Sequence, residues 1–167
     1  SRESMKIIRR RIGGGFTLIE LLIVLGVTVL LATFTVPNIL GRKSKAELDG
    51  ATTQLVALFR EAQSRSVTQA SGSDWGVHLE NNTTPVPFYA LFSGIYGSST
   101  IANYYRLPDS VRYAPSTLPV GTSTDIIFAQ ITGIPNATTS VRLELISGGN
   151  TLSSSTIFIN RNGLISY

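Results

Sequence analysis

The feature that most constrains this chain is an apolar run over residues 16–36, in which Glu20 is the only charged residue. As a helix rising about 1.5 Å per residue, the run would be roughly 31 Å long, which matches the hydrocarbon core of a bilayer. Its apolar residues lie on all sides of such a helix rather than along one stripe. The run therefore predicts a transmembrane helix. The alternative is a buried core helix of a soluble protein.

The residues before this run are basic and end in a glycine joint. Residues 1–15 contain five basic side chains and one acidic one, which accounts for the whole net charge of +4. A basic flank orients a membrane helix with its amino terminus in the cytoplasm and the remainder outside. In an ordinary secretory signal, the small residues of the cleavage site follow the apolar stretch. Here Gly13, Gly14 and Gly15 precede it, so cleavage at this joint would leave the apolar helix on the mature protein.

Beyond the apolar run, the pattern changes to that of an amphipathic helix. Pro37 removes a backbone donor and predicts a bend or a break. The polar residues 42–45 mark the exit from the membrane. Apolar residues at spacings of three and four then predict a helix that buries one face and ends near Ala70. This stripe consists of Leu48, Ala51, Leu55, Leu58 and Ala62, widened by Phe59.

The remainder of the chain, residues 75–167, consists of short strand-like segments bounded by clusters of Gly, Pro, Asn, Ser and Thr. It predicts a small antiparallel sheet that enlarges its core by docking on the Leu55 and Phe59 face of the helix. Asn162-Gly163 predicts a hairpin turn. The predicted strands cover residues 75–80, 88–92, 101–107, 125–131, 141–146, 156–160 and 164–167.

The residue types that usually mark an active site are scarce. The chain has no cysteine and one histidine, which excludes thiolate and His-rich metal sites. Glycine-rich phosphate loops and hydrolase nucleophile motifs are absent. His78 lies in an alternating segment with no carboxylate at a suggestive spacing, so we interpret it as a sheet-surface residue. We expect no catalytic residues, no cofactor and no metal, and we expect that the protein is not an enzyme.

Glu20 is the most informative single residue. An ionised carboxylate inside an apolar segment is costly and usually has a partner or a function. The dipole of the helix favours a carboxylate in the first turn. If cleavage makes Phe16 the new amino terminus, its α-amino group lies about one helical turn from Glu20, on the same side. The alternative is an interfacial glutamate without a task.

Residues 15–20, Gly-Phe-Thr-Leu-Ile-Glu, together with their basic leader and the apolar run, resemble the signal of type IV prepilins. The resemblance implies that a membrane-embedded prepilin peptidase cuts between Gly15 and Phe16 and then methylates Phe16. It implies that Glu20 guides assembly by pairing with the amino terminus of a neighbouring subunit. It also implies that Pro37 is the helix-bending proline.

The fold implied by this resemblance is α+β and pilin-like, with a long hydrophobic and then amphipathic helix packed against a small antiparallel β-sheet head. The implied organisation is a leader (1–15), a transmembrane and filament-core helix (16–40), an amphipathic continuation (41–71) and a head domain (72–167). The implied location is the bacterial inner membrane, crossed once, with the head in the periplasm or extracellular space. The implied partners are the prepilin peptidase, other pilin or pseudopilin subunits, and the membrane.

Two further stretches resemble one branch of this family. Residues 55–67 are similar to the stretch that closes the long helix of H-type pseudopilins and FimT-like minor pilins, and residues 157–165 resemble their closing hairpin. The chain also lacks the cysteine pair of many major pilins. The resemblance thus implies a minor structural subunit of a type II secretion pseudopilus or a type IV pilus, assembled into a helical filament for protein secretion.

Two other functions stay open at this point. One is a FimT-like tip pilin that binds DNA for uptake, for which Arg161 is the candidate contact because it lies near the DNA-linked tail of those relatives. DNA binding needs clustered basic side chains, and the basic residues of the head are interspersed with acidic ones, so a nucleic-acid partner is not favoured. The other is an enzyme with a membrane anchor.

Overall fold

The structure is a computed structural model that describes residues 15–84 and 86–167, without the side chains of residues 33–42. The predicted leader, up to Gly14, lies outside the described residues. The chain divides into two compact units, one ending at Leu40 and the other running from Gly41 to Tyr167. Helix α1, Leu18–Val67, contributes residues to both units. The helix continues through Pro37, so the break considered there does not occur, and the bend stays a prediction.

The amphipathic part of α1 confirms the predicted stripe. Every residue of the stripe, from Leu48 to Ala62, is buried. The helix ends at Val67, three residues before the predicted end. Gln69 has a left-handed backbone conformation with φ 55°, which cannot continue a right-handed helix, and a short 3₁₀ turn follows at Ala70–Gly72.

The head contains two antiparallel sheets, whereas we expected one. The strands are β1 (Trp75–Glu80), β2 (Phe88–Ser93), β3 (Ile101–Arg106), β4 (Val111–Tyr113), β5 (Ser123–Phe128), β6 (Thr139–Ser147), β7 (Asn150–Ile159) and β8 (Ile165–Ser166). Sheet A has the order β3-β2-β1-β5 and sheet B the order β4-β6-β7-β8. Each predicted strand overlaps an observed one. Strand β4 was missed because three residues are too few to show an alternating pattern.

The two largest differences from the predicted strand boundaries have identifiable reasons. Strand β7 begins at Asn150 because its serine-rich half, residues 153–155, pairs with β6 in the register Leu143↔Ser155. Strand β5 ends at Phe128 rather than at Ile131, where φ is +67°. The hairpin predicted at 162–163 is confirmed, since β7 and β8 are antiparallel neighbours across that turn.

Both sheets and the helix share one hydrophobic cluster, which confirms the expected docking on the face of α1 that carries Leu55 and Phe59. Tyr89 adds a polar link, because its hydroxyl donates to Gln54 Oε1 over 2.9 Å. Burial, and then the nearby Tyr105, raise the pKa of Tyr89 to about 12. The largest sheet residues of the cluster that are fully buried are Leu79, Tyr89, Leu91 and Phe128 from sheet A, and Tyr113, Leu143, Ile157 and Ile159 from sheet B.

Gln63, near the end of α1, links the helix to the β5–β6 connection between the two sheets and to the β7–β8 turn of sheet B. Its side-chain amide donates to the carbonyl oxygens of Gly133 over 3.0 Å and Gly163 over 2.9 Å. Both glycines have positive φ, 63° and 81°. A Cβ at Gly163 would stand 2.5 Å from Gln63 Nε2, and one at Gly133 would stand 2.7 Å from Val67 Cγ2. Both loops therefore need glycine for their conformation and for this close approach.

We expect Gln63→Ala to lower the free energy of unfolding by about 1–3 kcal/mol, because it leaves two part-buried carbonyl groups without their donor. Gln63→Glu keeps the size of the side chain but places carboxylate oxygen opposite the two carbonyl oxygens. It should be at least as destabilising as Gln63→Ala. Urea unfolding followed by the fluorescence of Trp75, the only tryptophan, measures both. A Gln63→Glu variant as stable as the wild type would show that the amide donor is not what holds these loops.

Candidate functional site

The amino-terminal end of α1 begins with a capping interaction. Thr17 precedes the first helical residue, and the backbone N–H of Glu20 donates to Thr17 Oγ1 over 3.3 Å. A threonine followed three residues later by a glutamate has the capping-box spacing, in which the hydroxyl satisfies an otherwise free N–H. Glu20 stands in the first turn, where the helix dipole favours its charge. The Thr-x-x-Glu spacing is visible in the sequence, so this cap could have been predicted there.

After the cap, the helix exposes apolar side chains in every direction. Leu18 is 82% exposed, and every large apolar side chain from Ile19 to Leu31 is at least 49% exposed; Phe16, just before the cap, is also 82% exposed. A continuous apolar surface of this size marks a segment that interacts with a membrane or with other protein. Within the part of the chain that the structure describes, no helix is long and apolar enough to cross a membrane.

The predicted cleavage residues lie immediately before this helix. Gly15 and Phe16 precede the cap at Thr17, so the start of the helix is two residues from the predicted cleavage site. A Cβ placed on Gly15 would meet no atom within 4 Å. The fold of the described residues therefore does not require glycine at position 15.

Arg161 lies in the turn between β7 and β8, where its backbone N–H donates to Asn160 Oδ1 over 2.8 Å. Two other arginines of the head already have partners. Arg112 forms an ion pair with Glu144 at 3.0 Å, and Arg142 donates to Ser154 over 2.9 Å. These contacts add no support for a cationic surface that would contact DNA around Arg161.

A polar centre that the sequence reasoning missed surrounds His78. We expected this histidine on the sheet surface, but it is only 5% exposed. The distance from its Nδ1 to Asp125 Oδ1 is 2.5 Å, and the distance from its Nε2 to Glu80 Oε2 is 3.2 Å. The Tyr96 ring stacks on the imidazole with 3.6 Å between centroids. The expectation was wrong because Tyr96 covers the outer face of β1, where a simple alternating pattern would place solvent.

Alternation along β1 could have revealed part of this centre, because His78 and Glu80 are two residues apart and share a face. Asp125 comes opposite His78 only through the pairing of β1 with β5, which the sequence does not show. Among the described residues, no group of three His, Asp or Glu side chains is arranged to hold a metal ion.

Comparison with known proteins finds three relatives, and all three have the same protein name. The chain is similar to type II secretion system core protein G. It is 50% identical over 44 residues to the protein from Vibrio cholerae serotype O1, 39% identical over 85 residues to that from Aeromonas hydrophila, and 35% identical over 77 residues to that from Dickeya chrysanthemi.

Each match to core protein G is partial. The three alignments cover 26%, 47% and 42% of this chain, and the chain spans 30%, 57% and 49% of the respective relatives. No family model matches the chain. No solved structure matches it either.

Proposed function

We propose that this chain is a structural pseudopilin or pilin subunit that is stored in the bacterial inner membrane and assembled into a helical filament of a type II secretion system or a related pilus. The observation that carries the proposal is the capped helix start followed by apolar side chains exposed on all sides. Such a surface has to be shielded from water by other apolar groups. Lipid shields it before assembly, and neighbouring helices shield it in the filament. The head then remains outside the filament core.

The partial relatives support the same role, because their name places them in the core of a type II secretion system. In this proposal the prepilin peptidase cuts between Gly15 and Phe16 and methylates Phe16. Glu20 then pairs with the amino terminus of a neighbour, and Pro37 bends the helix. The role is structural rather than catalytic.

The H-type, minor-subunit assignment is a finer part of this proposal. It is supported by the similarity of residues 55–67 and 157–165 to that branch, whereas the curated relatives are named core protein G. A tip subunit that captures DNA has no such support. The contacts of Arg112 and Arg142 occupy two of the cationic side chains that it would need.

The proposal is tested by placing a photoreactive amino acid at Leu22, which is 59% exposed on the apolar helix. The full chain is expressed in a host with an active type II secretion system. We expect adducts with other pseudopilin subunits, because neighbouring helices replace lipid in the filament. The control places the same group at Leu152, which is 62% exposed on β7. Adducts to lipid alone from Leu22, in cells that assemble the filament, would contradict a filament-core helix.

A further inference from the structure

The His78 centre borders a cavity that the proposed function does not use. The cavity measures about 380 Å³, which is at the small end for ligand pockets and suits a single side-chain-sized group. No lysine or arginine of the described residues lines it. The polar lining residues that matter here are His78, Glu80, Asn82, Tyr96, Ser123 and Asp125.

The carboxylates of this cavity are held in fixed positions. Asp125 and Glu80 each contact one ring nitrogen of His78, and Glu80 Oε1 also accepts a hydrogen bond from Asn82. The side chain of Asp125 is 39% exposed, and its second carboxylate oxygen is not used in the contact with His78. Even a doubly protonated imidazole carries one positive charge against two carboxylates, so the cavity is negative in either state of His78.

The Tyr96 hydroxyl is partly sensitive to these carboxylates. Burial first, and then Glu80, Asp125 and Tyr104, raise the pKa of Tyr96. Burial disfavours any charge, but the contribution of the two carboxylates, which disfavours the tyrosinate anion, favours a cation in the same place.

The remaining walls suit a cation attached to an aliphatic stem. Tyr96 lines the cavity and lies nearly parallel to the imidazole of His78, with 6° between the two planes, so the stacked pair forms a flat aromatic wall. Ile95, which also lines the cavity, is 88% exposed. An exposed isoleucine offers apolar contact to the methylene groups of a long basic side chain.

We propose that this cavity binds the charged end of a lysine or arginine side chain presented by another protein. The guanidinium or ammonium group lies against Asp125 and Glu80, and the methylene stem lies along Ile95. The proposal concerns only the chemistry of the ligand, so its test is independent of processing and filament assembly.

The test uses the full chain in detergent micelles with isotope-labelled histidine. Because His78 is the only histidine, the imidazole gives one set of NMR signals. The probes are N-acetyl-Gly-Arg-Gly-amide and the same peptide with neutral citrulline. We expect a saturable shift with the arginine peptide and binding at least about tenfold weaker with citrulline, because a charge-assisted hydrogen bond is lost.

Three results would overturn the proposal. They are equal binding of both peptides, a shift with Mg²⁺ or Ca²⁺ but not with the arginine peptide, and a shift with free spermidine but not with the peptide. The last result would identify a small polyamine, rather than a protein, as the source of the cation.

Variants locate the effect in the cavity. Asp125→Asn should weaken binding of the arginine peptide by about tenfold, whereas Asp109→Asn, which changes an exposed acid that does not line this cavity, should leave binding unchanged. If Asp125→Asn does not fold, Ser123→Arg serves instead, because Ser123 stands opposite Glu80 in the strand register. The introduced guanidinium should fill the cavity and abolish peptide binding. Unchanged binding by Ser123→Arg would contradict the proposed site.

Discussion

Replacing Glu20 with alanine is expected to leave cleavage and membrane insertion intact while lowering incorporation into filaments by about tenfold or more. The charge is costly in an apolar segment, so its loss does not oppose insertion. In the filament, however, the amino group of a neighbouring subunit would then lie unpaired among apolar helices, which is strongly unfavourable. Co-fractionation with sheared filaments, or crosslinking to another subunit when filaments are short, measures incorporation.

Glu20→Gln separates the charge of the side chain from its shape and hydrogen bonding. The bond to Thr17 is donated by the backbone N–H of residue 20, so the alanine and glutamine variants both keep it, and glutamine also keeps the size of the side chain while losing the charge. We expect it to share much of the alanine defect. The matched control is Asp49→Ala, which removes an exposed carboxylate elsewhere on the same helix and should assemble normally. Normal assembly of Glu20→Gln with a defect in Glu20→Ala would mean that the shape or hydrogen bonding of the side chain, not its charge, is what assembly requires.

Gly15→Leu is expected to lower processing by at least about tenfold, since a site built for glycine rejects added side-chain atoms. Nothing within 4 Å of Gly15 would oppose a Cβ, so a defect cannot be attributed to the fold of the described residues. It would instead report contact with the peptidase. Mass analysis of the amino terminus should show Phe16 with one methyl group in the wild type and the full precursor in the variant.

Gly50→Leu is the control for this substitution. A Cβ on Gly50 would also meet no atom within 4 Å, and this glycine lies on α1, far along the chain from the cleavage site. Its leucine variant should therefore be cleaved and methylated like the wild type. Efficient cleavage of Gly15→Leu, in a host with an active prepilin peptidase, would remove the support for this processing site.

The helix face and the strand positions could be predicted because their signals are local. The stripe around Leu55 and Phe59 repeats at the helical period, and it is buried as expected. The Asn162-Gly163 turn carries its own backbone preference. Strand pairing is not local, and so one sheet was expected where there are two. The serines at 153–155 have little strand propensity of their own and become strand because β6 lies beside them.

The apolar amino-terminal segment likewise has a local sequence signal, whereas the His78 centre depends on strand pairing. The cap at Thr17 and Glu20 is a short-range pattern that the sequence contains in full. The contact between His78 and Asp125 spans 47 positions and depends on β1 lying next to β5. Its consequence, a buried imidazole between two carboxylates, is therefore available only from the folded chain.

The two hydrogen bonds donated by Gln63 have a consequence for the order in which the chain folds during synthesis. Their acceptors, at Gly133 and Gly163, are made 70 and 100 residues after the glutamine itself. The apolar stripe of α1 thus leaves the ribosome long before the strands that cover it, and contacts this distant in sequence form slowly. Both hydrogen bonds are in place only after the turn that contains Gly163 has been made. During that interval the nascent protein exposes the stripe as well as its apolar amino-terminal segment. A chain that is released before Gly163 has been made would lack the hydrogen bond from Gln63 to that turn.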